Sequence, residues 1–356
     1  MILDLQFGST GKGLLAGYLA KQMQPDVVVT AWGPNAGHTY IDEEGRIFIH
    51  RMLANGIVSP KLKAVLIGPG SVLDLDVLNA EIESCKSLLI GKCLVIHPQA
   101  VVVTDEHRKT EVRNVKIGST MKGTGAAVIE RIERDPDNNP TAISAIPRSW
   151  LDNIAQMGIG IEVSSRTYDY FMSSAEKIQI EGAQGYSLSI YHGFYPYVTS
   201  RDVTPAQVMA DCAIPFSIIP EVYGTLRTFP IRVANRYDED GRMIGTSGPS
   251  YHDQQELDWG DIGLEPELTT VTQLPRRIFD FSFDQLKEAV YRCGPTKLFL
   301  NFVNYLDHED ALQLIGRINA EIDGRHCRIE WVGVGPAHQD VLSTVHWADT
   351  NSKRGS

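Results

Sequence analysis

Residues 2–13 read Ile2-Leu3-Asp4-Leu5-Gln6-Phe7-Gly8-Ser9-Thr10-Gly11-Lys12-Gly13. The run 2–6 reads as a buried strand, the Gly8–Gly13 stretch as its terminating loop, and residues 14–22 as the helix that follows. Glycines let successive backbone N–H groups turn toward an anion. The helix N-terminus adds partial positive charge, and Lys12 adds a full one. The spacing is not that of a Walker A loop, because only two residues separate Gly8 from Gly11-Lys12 and Gly13 stands where Ser or Thr would. On these residues alone, a phosphate-binding loop and a plain glycine-rich turn both remain open.

Outward from this stretch, short apolar runs alternate with helical patterns, the signature of an α/β protein. Residues 27–29, 64–67, 94–96 and 101–103 read as strands, and so do 177–181, 217–223, 225–233, 297–303 and 329–334. Leu75, Leu78, Ile82, Cys85 and Leu89 recur at three- and four-residue steps and predict one amphipathic helix over 74–90. The stretch 235–266, rich in Gly, Asp and Pro, predicts loops. One domain spanning 1–349 with a frayed tail at 350–356 is expected.

The chain has 356 residues, 43% of them hydrophobic and 22% charged, ordinary values for a globular protein. Its net charge of -11 argues against a broad surface for nucleic acid or anionic membrane. Five scattered cysteines without metal-ligand spacing read as reduced thiols, and no apolar run has the length of a membrane span. No charged leader opens the sequence, so secretion is not expected and a cytoplasmic location is.

A second loop, Trp32-Gly33-Pro34-Asn35-Ala36-Gly37-His38-Thr39, follows the strand at 27–29. Three further segments occur in order: Ile117-Gly118-Ser119-Thr120 with Arg134 downstream; Glu181-Gly182-Ala183-Gln184-Gly185 with Tyr195-Pro196-Tyr197-Val198-Thr199-Ser200; and Thr270-Val271-Thr272 with Arg276-Arg277. Together with the first loop, this ordered set resembles the adenylosuccinate synthetase family. The resemblance runs from residue 1 to about 340, and the length is nearer the compact archaeal and phage members.

The resemblance implies a large, mostly parallel central sheet flanked by helices, related to P-loop folds. It also implies a two-step ligase in which a nucleoside triphosphate phosphorylates the purine O6 and aspartate's amine then displaces phosphate at C6. Under it, Thr10, Gly11, Lys12, Gly13, Gly37, His38, Thr39, Asn304 and Gly335 would bind the triphosphate. Asn35, Ser119, Thr120, Gln184 and Thr199 would bind the purine mononucleotide, with Arg134 reaching across a homodimer interface to its phosphate. Thr270, Val271, Thr272 and Arg276 would hold aspartate. Mg²⁺ would sit near Ser9 and the Gly37 carbonyl, and Ser9, His38 and Gln184 would form the catalytic group.

Three departures from the family pattern bear on the substrate. Ser9 stands where the family has an aspartate that takes the purine N1 proton, and a serine hydroxyl is too weak an acid to replace it. Being small and uncharged, Ser9 leaves room for a 2-amino group and so favours guanine. Phe302 and Asn304 occupy the lysine and aspartate positions of the family's GTP-selecting segment. An amide both donates and accepts, which suits adenine. Leu274 takes the place of an arginine that also reaches the ribose 2′-hydroxyl. All three point to the phage branch of the family, which makes N6-succino-2-amino-2′-deoxyadenylate from dGMP, aspartate and ATP or dATP. An IMP-using enzyme and a non-catalytic nucleotide-binding protein are the alternatives.

Overall fold

The computed structural model describes residues 1–114, 117, 120–238, 240, 242–268 and 274–352. Its centre is a ten-stranded sheet built from β1 (Ile2–Asp4), β2 (Val27–Thr30), β3 (Ala64–Ile67), β4 (Cys93–Ile96), β5 (Gly160–Val163), β6 (Ile178–Gly185), β7 (Tyr223–Arg227), β8 (Lys297–Asn301), β9 (Arg328–Gly333) and β10 (Val341–Ser343). The spatial order is β10-β9-β8-β7-β1-β6-β2-β3-β4-β5. Every pairing is parallel except the edge pair β9–β10.

The strands are apolar runs because both faces are covered, as parallel sheets require. Leu3, Val27, Val29, Leu66 and Val95 point into one core cluster, whereas Ile2, Val28, Val65, Ile67 and Leu94 point into another. Helix α1 (Lys12–Met23) starts directly behind the first loop and packs Leu14, Leu15 and Leu19 into the second cluster. Side-chain caps fix later helix starts: Asp74 accepts from Val77 N–H, Ser164 from Thr167, Ser282 from Gln285 and Asp307 from Asp310.

Several boundaries differ from the sequence reading. Residues 217–222 are an irregular link, and the strand begins only at Tyr223. The 225–233 run is broken after Arg227, and Ile231–Arg232 joins a separate small sheet. The helix expected over 74–90 breaks at Cys85, with Leu75–Ser84 before it and Lys86–Leu89 after. The strand expected to reach 303 stops at Asn301, because Phe302 adopts φ 61° and opens a short 3-10 turn. Within 235–266, short pairings at Arg236–Tyr237, Met243–Gly245 and Glu256–Leu257 punctuate the loops.

β1 sits between β6 and β7; the chain runs from β1 to β2 on one side of it and from β6 across to β7 on the other. The carboxyl ends of β1, β2, β6, β7 and β8 therefore lie along one edge of the sheet, the edge at which open α/β sheets usually take ligands.

Candidate active site

The loop after β1 wraps around the side chain of Asp4, which is fully shielded from solvent. One carboxylate oxygen accepts from the Gln6 and Gly8 N–H groups at 2.8 and 3.2 Å. The other accepts from the Thr10 hydroxyl at 2.6 Å and from the Lys12 ammonium at 3.0 Å. Gly8, Ser9 and Gly11 all have positive φ (102°, 56° and 90°), which coils the loop tightly and leaves Ser9 exposed. Where this loop meets β6, a Cβ on Gly185 would lie 2.3 Å from the Gln6 carbonyl oxygen.

This arrangement refines the expected roles. The Thr10 hydroxyl is turned inward, bonded to Asp4 and lying 2.5 Å from the Thr225 hydroxyl. Gly13 serves close approach: a Cβ there would lie 2.7 Å from the Thr39 carbonyl oxygen. Lys12 is held by Asp4, and an arriving phosphate would compete with that carboxylate for it.

The second loop is pinned by the Trp32 indole, which donates to the Met52 carbonyl at 2.8 Å. It delivers His38 onto the first strand of the hairpin His38–Ile41/Ile47–His50. The Trp32 ring packs edge-on against the imidazole, with centroids 4.1 Å apart. His38 Nδ1 lies 2.8 Å from Glu181 Oε1, and Glu181 Oε2 accepts from the Asn55 N–H at 2.7 Å. Among the described residues, the buried His38 Nε2 has no partner.

Burial pushes the Glu181 carboxyl up to about 8, against the smaller opposing effect of the Asn55 bonds. Burial, then Lys12 and His50, holds His38 well below its ordinary range. Near neutral pH both groups are uncharged: protonated Glu181 donates to Nδ1, and the imidazole keeps its own hydrogen on Nε2. His38 is thereby set as a donor.

Gln184 lies at the end of β6 with φ 62° and is half-buried, and Thr199 is held by its N–H to the Leu188 carbonyl at 2.7 Å. Asn35 flanks Gly33, where a Cβ would meet the Thr124 methyl at 2.9 Å; Thr120 lies just ahead of that helix, Thr124–Glu133. Arg134 is exposed at the helix's far end with φ 55°. Asn304 is exposed beyond β8, and Gly335 follows β9, pressed against the Asp340 carboxylate. Burial lowers the Arg276 guanidinium, which feels Glu267 and Arg227. Ser119, Thr270, Val271 and Thr272 lie outside the described residues.

Among the described residues, no group of three His, Cys, Asp or Glu side chains could hold a metal ion. Exposed Ser9 and Gly37 offer neutral oxygens, while Asp4 is already filled by its four donors. Such a sparse set fits Mg²⁺, which keeps several waters and is bound largely through substrate phosphates. Sequence reasoning assigned no role to Asp4, Glu181 or Arg227. The signal available was a single charged residue in each of three strands that carry no other charge.

The family profile "Adenylosuccinate synthetase" matches residues 1–137 and 148–328. The chain belongs to the adenylosuccinate synthetase family. Within that family it is 50% identical over 352 residues to the N6-succino-2-amino-2′-deoxyadenylate synthase of Salmonella phage PMBT28, covering 96% of each chain. To the synthase of the same name from Acinetobacter phage SH-Ab 15497 it is 48% identical, covering 98% of this chain and 95% of the other. The solved succinoaminodeoxyadenylate synthetase of Cyanophage S-2L, bound to dGMP and to dATP as an energy donor, superimposes with a TM-score of 0.85 at 43% identity, covering 96% of this chain and 94% of that one. In this chain the adenylosuccinate synthetase fold carries an exposed serine in the first loop and a buried His38–Glu181 pair.

Proposed function

We propose that the chain is a ligase that joins L-aspartate to C6 of dGMP at the expense of ATP or dATP. In the first step the γ-phosphoryl passes to the purine O6, its bond to the nucleoside diphosphate breaks with that diphosphate as leaving group, and the N1 proton passes to water. In the second, the aspartate amine bonds to C6, the C6–O bond breaks, and phosphate leaves with the electron pair. The products are N6-succino-2-amino-2′-deoxyadenylate, the nucleoside diphosphate and phosphate.

Each resident group has a task in this scheme. Backbone N–H groups of Thr10, Gly11 and Gly13 surround the triphosphate's phosphates, and Lys12 exchanges Asp4 for a phosphate oxygen. His38 donates through Nε2 to the moving phosphoryl or to the O6 leaving group, held in that tautomer by Glu181. Ser9 faces the N1–C2 edge, where a short hydroxyl accepts from the 2-amino group. Gln184, Thr199, Asn35, Ser119 and Thr120 line the mononucleotide, and Arg134 of a second copy reaches its phosphate. The planar Arg276 fork clamps an aspartate carboxylate beside Thr270–Thr272. Asn304 reads the adenine edge, and Gly335 lies alongside. Mg²⁺ near Ser9 and the Gly37 carbonyl would offset charge on the transferring phosphoryl. The enzyme would act in the cytoplasm of a phage-infected host; no described helix is long and apolar enough to cross a membrane.

The observation that carries this reading is an exposed Ser9 at the tip of an otherwise complete family loop, in a chain 43–50% identical to phage synthases of this activity. The protein should be incubated with Mg²⁺, aspartate, ATP and dGMP and the nucleotides resolved by mass spectrometry. A succinylated deoxynucleotide retaining the 2-amino group is expected. Product from IMP and none from dGMP would overturn the proposal.

A further inference from the structure

Arg227, the last residue of β7, has a fully buried side chain, yet no step above uses it. Its guanidinium forks onto the Glu267 carboxylate at 2.5 and 3.4 Å. One arm also donates to the Ser9 carbonyl at 3.2 Å, and the plane lies 4.0 Å from the centroid of the Phe302 ring. Its backbone grips the first loop too: the Arg227 N–H donates to the Gln6 side-chain carbonyl at 2.9 Å, and the Gln6 amide donates back to the Arg227 carbonyl at 3.3 Å.

Leu268 and Pro275 pair as an isolated antiparallel bridge. One residue outward, the Arg276 N–H donates to the Glu267 carbonyl at 2.8 Å, while the Arg276 carbonyl accepts from the Trp259 indole at 2.7 Å. The Tyr305 hydroxyl adds a 3.4 Å contact to the same Glu267 carboxylate. Glu267 therefore fixes the backbone from which the Arg276 side chain projects, and Arg227 fixes Glu267 to the sheet and to Ser9.

We propose that Arg227 is a positioning residue that sets the aspartate subsite, through Glu267 and Arg276, at a fixed distance from the Ser9 loop where the purine is activated. A lysine could keep the charge but not the fork, the ring contact and the Ser9 bond together. Attack at C6 demands near-contact geometry, and a small displacement of the aspartate costs rate steeply.

The inference rests on the ligase reading, and a double-mutant cycle tests it. Arg227→Met strips the half-buried Glu267 carboxylate of its guanidinium partner, so the paired variant R227M/E267Q removes both charges together. In R227M/E267Q with an unchanged circular dichroism spectrum, the KM for aspartate should rise by at least about ten-fold, with the KM for dGMP much less affected. The effects of R227M and E267Q on the aspartate KM should be non-additive, and R227K should restore only part of the loss. A folded double variant with the wild-type KM for aspartate, or with equal rises for aspartate and dGMP, would overturn the proposal. If the wild type turns over IMP instead of dGMP, the ligase's substrate assignment fails while the same cycle, run with IMP, still reads Arg227.

Discussion

Glu181 gives the sharpest residue-scale consequence. Its carboxyl, raised by burial from 4.5 to about 8, keeps its proton at neutral pH and holds His38 as an Nε2 donor. As pH rises through about 8, ionised Glu181 becomes an acceptor, Nδ1 takes the imidazole hydrogen, and Nε2 loses its donor. Turnover should fall along that limb. Glu181→Gln places an amide N–H against Nδ1 at every pH, so the limb should vanish while neutral-pH activity persists. The Asn55 side chain can turn to suit, since its oxygen has no partner among the described residues. A Gln variant with the same alkaline limb would show that another group titrates. The same shift has a stability sign. A carboxyl raised on folding adds no penalty below 4.5, a growing one up to about 8 and the full one above, so Glu181→Gln should raise Tm at pH 8 more than at pH 5. Ser9→Asp should lower kcat/KM for dGMP relative to IMP, because a longer, charged side chain crowds the 2-amino group. An unchanged ratio would place purine selectivity elsewhere, and a change confined to Mg²⁺ dependence would make Ser9 a metal contact.

Among the elements, the meeting of β6 with the first loop is the tightest constraint. A Cβ on Gly185 would lie 2.3 Å from the Gln6 carbonyl oxygen and 2.5 Å from the Gly8 nitrogen, both backbone atoms that cannot rotate away. Gly185→Ala should therefore destabilise the protein by about 1–3 kcal/mol and lower turnover by lifting the loop off Asp4. A urea melt matching the wild type would contradict this. Sequence patterns located such elements well where local signals and tertiary demands agreed. The run Ala64–Ile67 is a strand with the expected ends, since it is apolar on both faces. They failed where local geometry overrode the pattern, as at Phe302 with its positive φ, at Cys85 between two helices, and over 217–222. The loop serine and histidine were legible because they sit in distinctive polar motifs. Glu181 and Arg227 were not, because a charge within a strand shows its partner only when distant segments, such as Asn55 or Glu267, fold against it; Asp4 was not, because its four nearby donors converge only once the loop coils.

In the whole molecule β1 lies between β6 and β7, so strands from both halves of the chain meet beside the first loop. A further contribution is expected from a second copy. Arg134 is exposed at the end of the helix Thr124–Glu133, which also leaves Ile129 and Ile132 59% and 66% exposed. An isologous dimer through this face would cover them and bring Arg134 to the partner's nucleotide phosphate. Light scattering should report two copies. Arg134→Ala should raise the KM for dGMP by ten-fold or more, since hydrogen bonds to charged groups are worth about 1.5–3 kcal/mol. A fully active monomer would remove the shared site. The central claim concerns the substrate, and the most direct measurement is the ratio of kcat/KM for dGMP to that for IMP, taken with saturating aspartate and ATP. A ratio well above one is the result predicted by a first loop carrying Ser9, and a ratio below one would contradict it.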